Sequence, residues 1–367
     1  MADLTVEVAG LRFRNPVLPA AGPPGRDGRA LEKCAEGGAG GLVAKTISVT
    51  AAQPPIPNIA EIHHGMLNTE LWSELPPEQW LEREYPIARA IGLPLVVSLG
   101  YSADDIAALA PRVRPFADAL ELSTHYIGED PAPMIGAIRA AKAAVDVPVF
   151  VKLSPLGREM ARAAEHARDA GADGIVAINS FGPVLAIDAA SGRPRLGGPE
   201  GVGWLSGPAL KPLALRCVRD IARAVDLPII GVGGVSNGLD AIEMLMAGAS
   251  AVGVCTAAIL RGHGVFGKIA AEMDTWLDAH GYAAARDVRG LVMASAEAWW
   301  ASGWPVVNEA ACNGCDLCEP SCPYEAIGVV DGLAFIDYER CQRCGLCVTR
   351  CHRDAISWVA PEVTTPA

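Results

Sequence analysis

Short runs of Val, Ile and Leu alternate with Ala-rich amphipathic stretches along most of the chain before residue 300. Each apolar run is too short for a helix and is bounded by Gly or Pro, whereas the stretches between the runs have helical length. Eight of the runs are typical of buried strands: 16–20, 42–45, 94–99, 119–122, 149–152, 174–178, 228–231 and 251–254. Eight strand and helix units in about 250 residues predict an α/β protein with a TIM (β/α)8 barrel.

Two segments depart from this repeating pattern. Residues 4–16 predict a small hairpin with its turn at Ala9 and Gly10, which would close the bottom of the barrel. Residues 48–80, after the second strand, are long and contain several prolines, so we expect a loop that acts as a lid over the pocket.

The composition agrees with a large aliphatic core, since 51% of the 367 residues are hydrophobic and only 5% are aromatic. A net charge of −12 gives no positive surface for DNA or RNA, so we expect no nucleic-acid partner. The longest apolar stretch, 241–260, contains Glu243 and a Gly-Ala-Ser break, which favours a buried helix and strand over a membrane span. No signal-peptide pattern opens the chain, and a cytoplasmic location is expected.

Eight cysteines near the C-terminus form two C-x2-C-x2-C-x3-C runs. The first is Cys312, Cys315, Cys318 and Cys322, followed by Pro323, and the second is Cys341, Cys344, Cys347 and Cys351, followed by His352. This spacing predicts a bacterial-type ferredoxin domain with two [4Fe-4S] clusters, in which the fourth cysteine of each run ligates the other cluster. The expected ligand sets are Cys312, Cys315, Cys318 and Cys351 for one cluster, and Cys341, Cys344, Cys347 and Cys322 for the other.

Zinc and disulfides are the alternatives to iron–sulfur clusters. Structural zinc usually pairs two C-x2-C units, and a third cysteine three residues on in both runs does not fit that arrangement. Disulfides are typical of small secreted proteins, which a 367-residue chain without a signal peptide does not resemble. The predicted organisation is therefore a barrel over 1–298, a linker over 299–308 and a cluster domain over 309–367.

Polar and small residues follow the predicted strands, and active sites of such barrels lie at the carboxyl ends of the strands. In chain order they are Ala21-Gly22, Lys45-Thr46, Gly100-Tyr101, Ser123-Thr124-His125-Tyr126, Lys152, Asn179-Ser180, Gly233-Gly234 and Cys255-Thr256. The last two pairs follow strands seven and eight, where backbone N–H groups approach a phosphate closely only if side chains are small. A Gly-Gly pair also serves as a plain turn, but in this place it favours a phosphate-bearing cofactor.

At these residues the chain resembles the flavin-dependent dihydroorotate and dihydropyrimidine dehydrogenases. The matching segments are NPVLPAAGPP, VAKTIS, NTELWSE, ALELS, VFVKLSP, AGADGIVAINS, WLSGPALKPLALRCV and IIGVGGVSNGLDAIEMLMAGASAVGVCTAAI. NTELWSE, SGPALKPLALR and VCTA, together with the cluster module, look closest to dihydropyrimidine dehydrogenase, in particular to the bacterial subunit that combines an FMN barrel with clusters. The resemblance implies that FMN is the phosphate-bearing cofactor.

The resemblance also implies site residues. The positions that would contact FMN are Ala21, Gly22, Lys45, Lys152, Gly207, Gly233, Gly234, Cys255 and Thr256. Those that would bind substrate are Asn68, Ser123, Asn179 and Ser180, whose amides and hydroxyls suit a planar ring with N–H and C=O groups. A lysine beside the flavin stabilises the negative charge of the reduced ring, which gives Lys152 a catalytic role. The plainer alternatives are barrel-mouth salt bridges for the lysines and a turn cap for Asn68.

One loop departs from the family pattern. Where the relatives read Glu-Leu-Asn-x-Ser-Cys-Pro, this chain reads Glu-Leu-Ser-Thr-His-Tyr-Ile, so Tyr126 takes the place of the catalytic cysteine. Either Tyr126 or His125 could exchange the proton that the cysteine handles in the relatives; His titrates closer to neutral pH, and Tyr stays protonated. The alternative is that both side chains only shape the pocket.

No G-x-G-x-x-G motif opens a βαβ unit, so we expect no nicotinamide dinucleotide or FAD site on this chain. The resemblance implies that the clusters exchange electrons with an NAD(P)H- and FAD-containing subunit or a ferredoxin, within a homo- or hetero-oligomer. The expected function is an FMN and iron–sulfur oxidoreductase that moves hydride between flavin N5 and a C–C double bond, with a dihydropyrimidine-like substrate favoured. Two alternatives stay open: a reductase of a different unsaturated amide, acid or thioester, and an electron-transfer subunit without substrate chemistry.

Overall fold

The computed structural model describes residues 1–124, 130–294 and 303–359. The chain divides into two compact units, Met1–Ala294 and Ser295–Ala367. The strands of the first unit are β1 (Val6–Val8), β2 (Leu11–Phe13), β3 (Val17–Pro19), β4 (Leu42–Val43), β5 (Ile59–Ile62), β6 (Gly65–Asn68), β7 (Leu95–Leu99), β8 (Ala119–Ser123), β9 (Val149–Leu153), β10 (Gly174–Ala177), β11 (Phe181–Leu185), β12 (Ile187–Asp188), β13 (Arg193–Pro194), β14 (Val202–Ser206), β15 (Ile229–Val232) and β16 (Ala251–Val254).

Helices follow most of the barrel strands. They are α1 (Gly28–Glu36), α2 (Pro77–Gln79), α3 (Tyr85–Ala90), α4 (Ala103–Val113), α5 (Ala132–Ala144), α6 (Met160–Asp169), α7 (Lys211–Ala224), α8 (Gly238–Met246), α9 (Thr256–Arg261), α10 (Val265–Ala279) and α11 (Leu291–Ala294). Shorter 3-10 or π turns lie at Pro23–Gly25, Trp80–Glu84, Gly157–Glu159, Pro208–Leu210 and Ala285–Val288. No helix in the described ranges is long and apolar enough to cross a membrane.

The predicted TIM barrel is confirmed. Eight parallel strands form one sheet in the order β3-β16-β15-β10-β9-β8-β7-β4. The Gly40 N–H, just before β4, donates to the Val17 carbonyl of β3, which joins the two ends of the sheet. Each of the eight predicted runs overlaps one of these strands, and the bounds agree to within two residues, because strands buried on both faces are continuous apolar runs. The carboxyl ends of all eight strands therefore meet at one mouth.

The N-terminal hairpin is also confirmed. Strands β1 and β2 pair antiparallel, and Ala9 and Gly10 form the turn with φ values of 49° and 80°. The prediction that 48–80 is a loop, in contrast, is wrong. Strands β5 and β6 lie within it and join β14 and β11 in an antiparallel sheet of order β11-β14-β6-β5. We call these four strands the cap sheet.

The second unit contains β17 (Trp304–Val307), β18 (Ile327–Val330), β19 (Leu333–Ile336), α12 (Leu346–Arg350) and β20 (Ile356–Val359). Strand β17 pairs with β20, and β18 pairs with β19. The linker predicted over 299–308 is therefore wrong at 304–307, because these residues form a strand paired near the other end of the unit. Among its described residues, one buried hydrophobic cluster is formed by Cys318, Ile327, Ala334 and Ile356, and Ala326 and Ala355 are also buried.

Candidate functional site

A cavity of about 480 Å³ lies at the mouth of the barrel and is lined by strand ends together with residues of the cap sheet. Its size falls within the range of about 300–1,000 Å³ that is usual for cofactor and ligand sites. Eight of the nine residues predicted to contact FMN line this cavity: Ala21, Gly22, Lys152, Gly207, Gly233, Gly234, Cys255 and Thr256. The four predicted substrate residues, Asn68, Ser123, Asn179 and Ser180, line it as well. The structure thus brings the two predicted sets into one pocket.

Lys45 is the exception among the predicted FMN residues, because it is not among those that line the cavity. Its buried Nζ lies 2.8 Å from Glu70 Oε2 and 2.8 Å from Glu74 Oε2. The other Glu70 oxygen accepts a hydrogen bond from the Asn58 amide. Lys45 therefore ties the segment after β6 to the end of β4, as the salt-bridge alternative expects, and its contact with FMN stays a prediction.

Lys152, on β9, is buried and lines the cavity. Its Nζ lies 3.5 Å from Oε1 of Glu121, which is 2% exposed on the neighbouring strand β8. Glu121 Oε1 has no hydrogen-bond partner among the described residues. A buried carboxylate at this distance offsets the lysine charge without using all of its N–H donors. Lys152 can therefore still donate to a group bound in the cavity.

The turn after β15 contains two positions at which only glycine fits. Gly233 and Gly234 have φ values of 126° and 80°, which disfavour other residues. A Cβ atom on Gly233 would lie 2.7 Å from Ala214 Cβ, and one on Gly234 would lie 2.6 Å from Lys211 Cβ. Both glycines line the cavity, so a ligand there meets backbone rather than side chains at this turn. This close backbone approach fits a phosphate group.

The next residues hold this turn in place. Ser236 donates from its N–H and its hydroxyl to Asp240 Oδ2, at 2.9 and 2.7 Å. Asp240 is itself held by Lys211, whose Nζ lies 2.6 Å from Oδ1. The Asn237 side chain accepts the Asp240 N–H and caps α8. The turn is therefore anchored to two helices before any ligand binds.

Two further groups in the cavity have raised pKa values because they are buried. Burial raises the pKa of the Cys255 thiol to about 11 and that of the Tyr101 hydroxyl to about 12. Both line the cavity. At neutral pH Cys255 is therefore a thiol rather than a nucleophilic thiolate, and Tyr101 is protonated.

Sequence reasoning assigned no role to Glu70 or Tyr101, although both line the cavity. Tyr101 follows strand β7, so the strand-end rule had already marked its position. Glu70 lies in the segment NTELWSE, where only Asn68 was singled out. His125 and Tyr126, the predicted proton carriers, lie outside the described residues.

In the second unit, two smaller cavities are each lined by four cysteines. One is lined by Cys312, Cys315, Cys318 and Cys351, and we call it the first cluster site. The other is lined by Cys322, Cys341, Cys344 and Cys347, and we call it the second cluster site. These are the two crossed sets that the spacing predicts. Their role as ligands stays a proposal.

Backbone N–H groups donate to the sulfurs at both cluster sites. Ala326 donates to Cys322 Sγ and Ala355 to Cys351 Sγ, each at 3.3 Å. The pKa of Cys312 is lowered by such bonds, whereas burial and the neighbouring Cys344 raise the pKa of Cys347 to about 11. In the described parts of the chain, no three His, Cys, Asp or Glu side chains are arranged to hold a single metal ion. Four sulfurs around a cavity fit a cluster better than one zinc ion.

Two family models match the chain. Residues 3–277 match dihydroorotate dehydrogenase, and residues 311–356 match the 4Fe-4S dicluster domain. The chain belongs to the dihydroorotate dehydrogenase family. Among similar proteins are three named dihydroorotate dehydrogenase B (NAD(+)), catalytic subunit. That of Pyrococcus horikoshii is 36% identical over 79% of this chain and 98% of its own length, and that of Methanothermobacter thermautotrophicus is 36% identical over 78% and 98%. That of Methanocella arvoryzae is 38% identical over 75% and 93%.

The FMN of the dihydroorotate dehydrogenase family fits the barrel cavity. Gly233 and Gly234 offer backbone donors for its phosphate, and Lys152 offers a buried cation for its ring. The dicluster domain likewise fits the two sets of four cysteines. This family member is thus a flavin- and iron–sulfur-containing oxidoreductase that acts on CH–CH bonds.

Proposed function

We propose that the chain interconverts a C–C single and double bond in a dihydropyrimidine-like ring and that its two clusters exchange the electrons with a partner protein. We choose an uncharged ring because of the balance of charges at the end of the cavity where the predicted substrate residues lie. Lys152 lines the cavity and pairs with Glu121, and Lys45, which does not line it, pairs with Glu70 and Glu74. Arg261 also lines the cavity, and it donates to the Ser236 carbonyl beside the Gly233-Gly234 turn, at the end expected for the phosphate. Neither lysine is therefore a spare cation for the substrate.

This balance favours a neutral substrate over an anionic one. A substrate carboxylate buried without a cationic partner loses hydration that the protein does not replace. A uracil-type ring instead presents N–H and C=O groups, which Asn68, Asn179 and Ser180 can match as donors and acceptors. Glu70 adds a partly buried acceptor beside them, because a carboxylate can accept further hydrogen bonds while it holds Lys45.

The remaining roles follow from position. FMN, when bound, supplies the acceptor or donor of hydride. Lys152 would stabilise negative charge that develops in the cavity, and Tyr126 or His125 would carry the proton at the neighbouring carbon. Ser123 lines the cavity, lies two residues before His125 in the sequence, and would bind the ring.

Dihydroorotate is the second candidate substrate. It is supported by the names of the similar proteins, which are catalytic subunits of dihydroorotate dehydrogenase B that use NAD(+). The same names support a separate electron-transfer subunit as the partner of this chain. An electron-transfer role without substrate chemistry is less well supported, because Asn68, Asn179, Ser180 and Lys152 all line the cavity.

Anaerobic single-turnover spectroscopy separates these candidates. The oxidised protein is mixed with dihydrouracil or dihydroorotate, and the chemically reduced protein with uracil or orotate, while flavin and cluster absorbance are followed. We expect bleaching by dihydrouracil, reoxidation by uracil, and slower reactions of the two carboxylates. Faster reaction with dihydroorotate would overturn the neutral-ring proposal and favour the second candidate. Silence towards all four compounds would overturn dihydropyrimidine chemistry altogether.

A charge variant tests the reason for the preference. Glu70→Gln removes one carboxylate and frees part of the Lys45 charge, so the ratio of dihydroorotate to dihydrouracil turnover should rise. Glu61→Gln is the matched control, because Glu61 also lines the cavity but is exposed. Equal ratios in both variants and the wild type would show that charge does not set the preference.

A further inference from the structure

The second unit is an internal repeat whose halves are 29 residues apart, as Cys312 and Cys341 are. The repeat extends to the strands. In one half Val329 of β18 pairs with Ala334 of β19, and in the other Trp358 of β20 pairs with Pro305 of β17. Val329 corresponds to Trp358, and Ala334 to Pro305. Each residue near one cluster site therefore has a counterpart near the other. Where two counterparts differ in their side chain or in their N–H group, the surroundings of the two sites differ.

Some donors to sulfur are shared by the two halves. The Ala326 N–H donates to Cys322 at the second cluster site, and its counterpart Ala355 donates to Cys351 at the first, both at 3.3 Å. The Arg343 N–H likewise donates to Cys341 Sγ at 3.4 Å, and its counterpart Gly314 donates to Cys312. Bonds of these two kinds occur at both sites and cannot separate them.

Two other donors are present at the first cluster site alone among the described counterparts. The Ala334 N–H donates to Cys312 Sγ at 3.5 Å. Its counterpart Pro305 lines the second cluster site but has no N–H to donate. His352 Nδ1 lies 3.9 Å from Cys315 Sγ, and towards the sulfur of a cluster ligand, which only accepts, the ring would be the donor. The counterpart of His352 is Pro323, which also lacks a donor.

The charged side chains do not separate the two sites. Arg353 lines the first cluster site, where its counterpart at the second is Tyr324, and Arg343 lies in the second cysteine run. Both arginines are exposed, and an exposed charge is screened by water and salt, whereas an N–H that contacts sulfur is not.

We propose that the two clusters have unequal reduction potentials, with the higher potential at the first cluster site. A cluster gains negative charge when it is reduced, so each N–H aimed at a ligand sulfur stabilises the reduced form and raises the potential. His352 is thus a tuning residue rather than a ligand, and the two prolines keep the second site low. An electron entering the module comes to rest at the first cluster site.

Electron paramagnetic resonance during a redox titration tests this on the full-length protein at one fixed pH. We expect two separate reduction steps in the wild type. His352→Ala should move the upper step to lower potential and leave the lower step in place, and His352→Asn, which keeps an N–H donor, should restore part of the shift. His280→Ala is the control, because it removes an exposed histidine of the barrel unit. A single step in the wild type, or an unmoved upper step in His352→Ala, would overturn the proposal.

The reverse change tests the second site and does not depend on the stability of the His352 variants. Pro305→Ala supplies the missing N–H and should move the lower step upward, which narrows the gap. Iron content and visible absorbance confirm that both clusters are loaded before each titration. A lower step that does not move, or an upper step that moves instead, would contradict the assignment.

Discussion

The barrel unit and the cluster unit differ most in what holds each of them together. The barrel has a continuous aliphatic core that includes every one of its eight strands, whereas the buried hydrophobic cluster among the described residues of the cluster unit has only four members, Cys318, Ile327, Ala334 and Ile356. Such a small core cannot offset the conformational entropy of its chain. We infer that the barrel folds without its cofactor and that the cluster unit folds only around its clusters.

The largest effect should follow from iron removal. Chelation of iron under oxidising conditions should unfold the cluster unit and leave the barrel folded, because binding of the metal is the main source of folding free energy there. Hydrogen exchange with mass spectrometry would show full loss of protection in peptides from 303–359 and unchanged protection in the barrel strands. Persisting protection of β18 and β19 after iron loss would contradict this comparison.

Loss of one ligand should remove one cluster. Cys318→Ala should lower the iron content from about eight to about four atoms per chain, because a [4Fe-4S] cluster needs four cysteines. Cys217→Ala, in the barrel core, is the control and should keep all the iron. A Cys318→Ala protein that retains full iron content would refute the predicted ligand sets.

A barrel variant should change substrate chemistry without changing the clusters. Tyr126→Phe removes the proposed proton carrier, and loss of general acid–base catalysis typically slows turnover by about 100- to 10,000-fold. Cluster reduction by dithionite should stay unchanged. Tyr101→Phe provides a second tyrosine of the same cavity for comparison. If Tyr101→Phe slows turnover more than Tyr126→Phe, the proton role belongs to Tyr101.

Two phenylalanines test the difference in core directly. The ring of Phe150 in β9 packs on Gly174, and the ring of Phe335 in β19 packs on Gly328. In both cases the ring occupies the space that a side chain at the glycine would fill. Phe150 is 0% exposed and Phe335 is 50% exposed. Phe150→Ala should cost about 3–5 kcal/mol in the free energy of unfolding of the barrel, and Phe335→Ala should cost well under half of that. Chemical denaturation followed by circular dichroism measures both, and equal costs would contradict the comparison.

The smallest effect concerns pH. Burial raises the pKa of Cys34 to about 12 and that of Cys217 to about 11, from an ordinary value near 9. Their contribution to barrel stability is complete below about pH 9 and is lost as the pH rises towards 11–12, by up to about 1.4 kcal/mol per pH unit for each thiol. Urea midpoints at pH 8, 9.5 and 10.5 should fall in the wild type and fall less steeply in Cys34→Ala. Parallel curves would show that Cys34 does not contribute.

The barrel could be predicted because its signal is local. Strands such as 251–254 are short apolar runs fixed by burial on both faces, and the prediction and the structure agree there at both ends. The cap sheet could not be predicted in this way. Strand β6 pairs with β14, and Asn68 lies opposite Trp204. Because the two strands are far apart in the sequence, neither segment alone indicates that they pair. Strand β17 was missed for the same reason, since its partner β20 lies near the opposite end of its unit.

The site shows the same division. The strand-end rule found Ser123, Lys152 and Asn179 because residues at the carboxyl ends of barrel strands lie near the mouth. The rule does not tell what else stands beside such a residue. Lys45 forms ion pairs with Glu70 and Glu74, which lie in another segment. The sequence around Lys45 does not indicate these partners. The cysteine sets were predicted by spacing, because cluster geometry constrains their sequence positions tightly.

The internal repeat of the cluster unit has a consequence for its origin. In the proposed ligand sets, each half supplies three cysteines to one site and the fourth to the other, so a half standing alone could complete neither cluster. A peptide of that length would need a second copy of itself to bind a cluster, and two such copies would be identical. A single chain that carries both halves does not require them to match. The difference between Pro323-Tyr324 and His352-Arg353 is one that only such a chain can have.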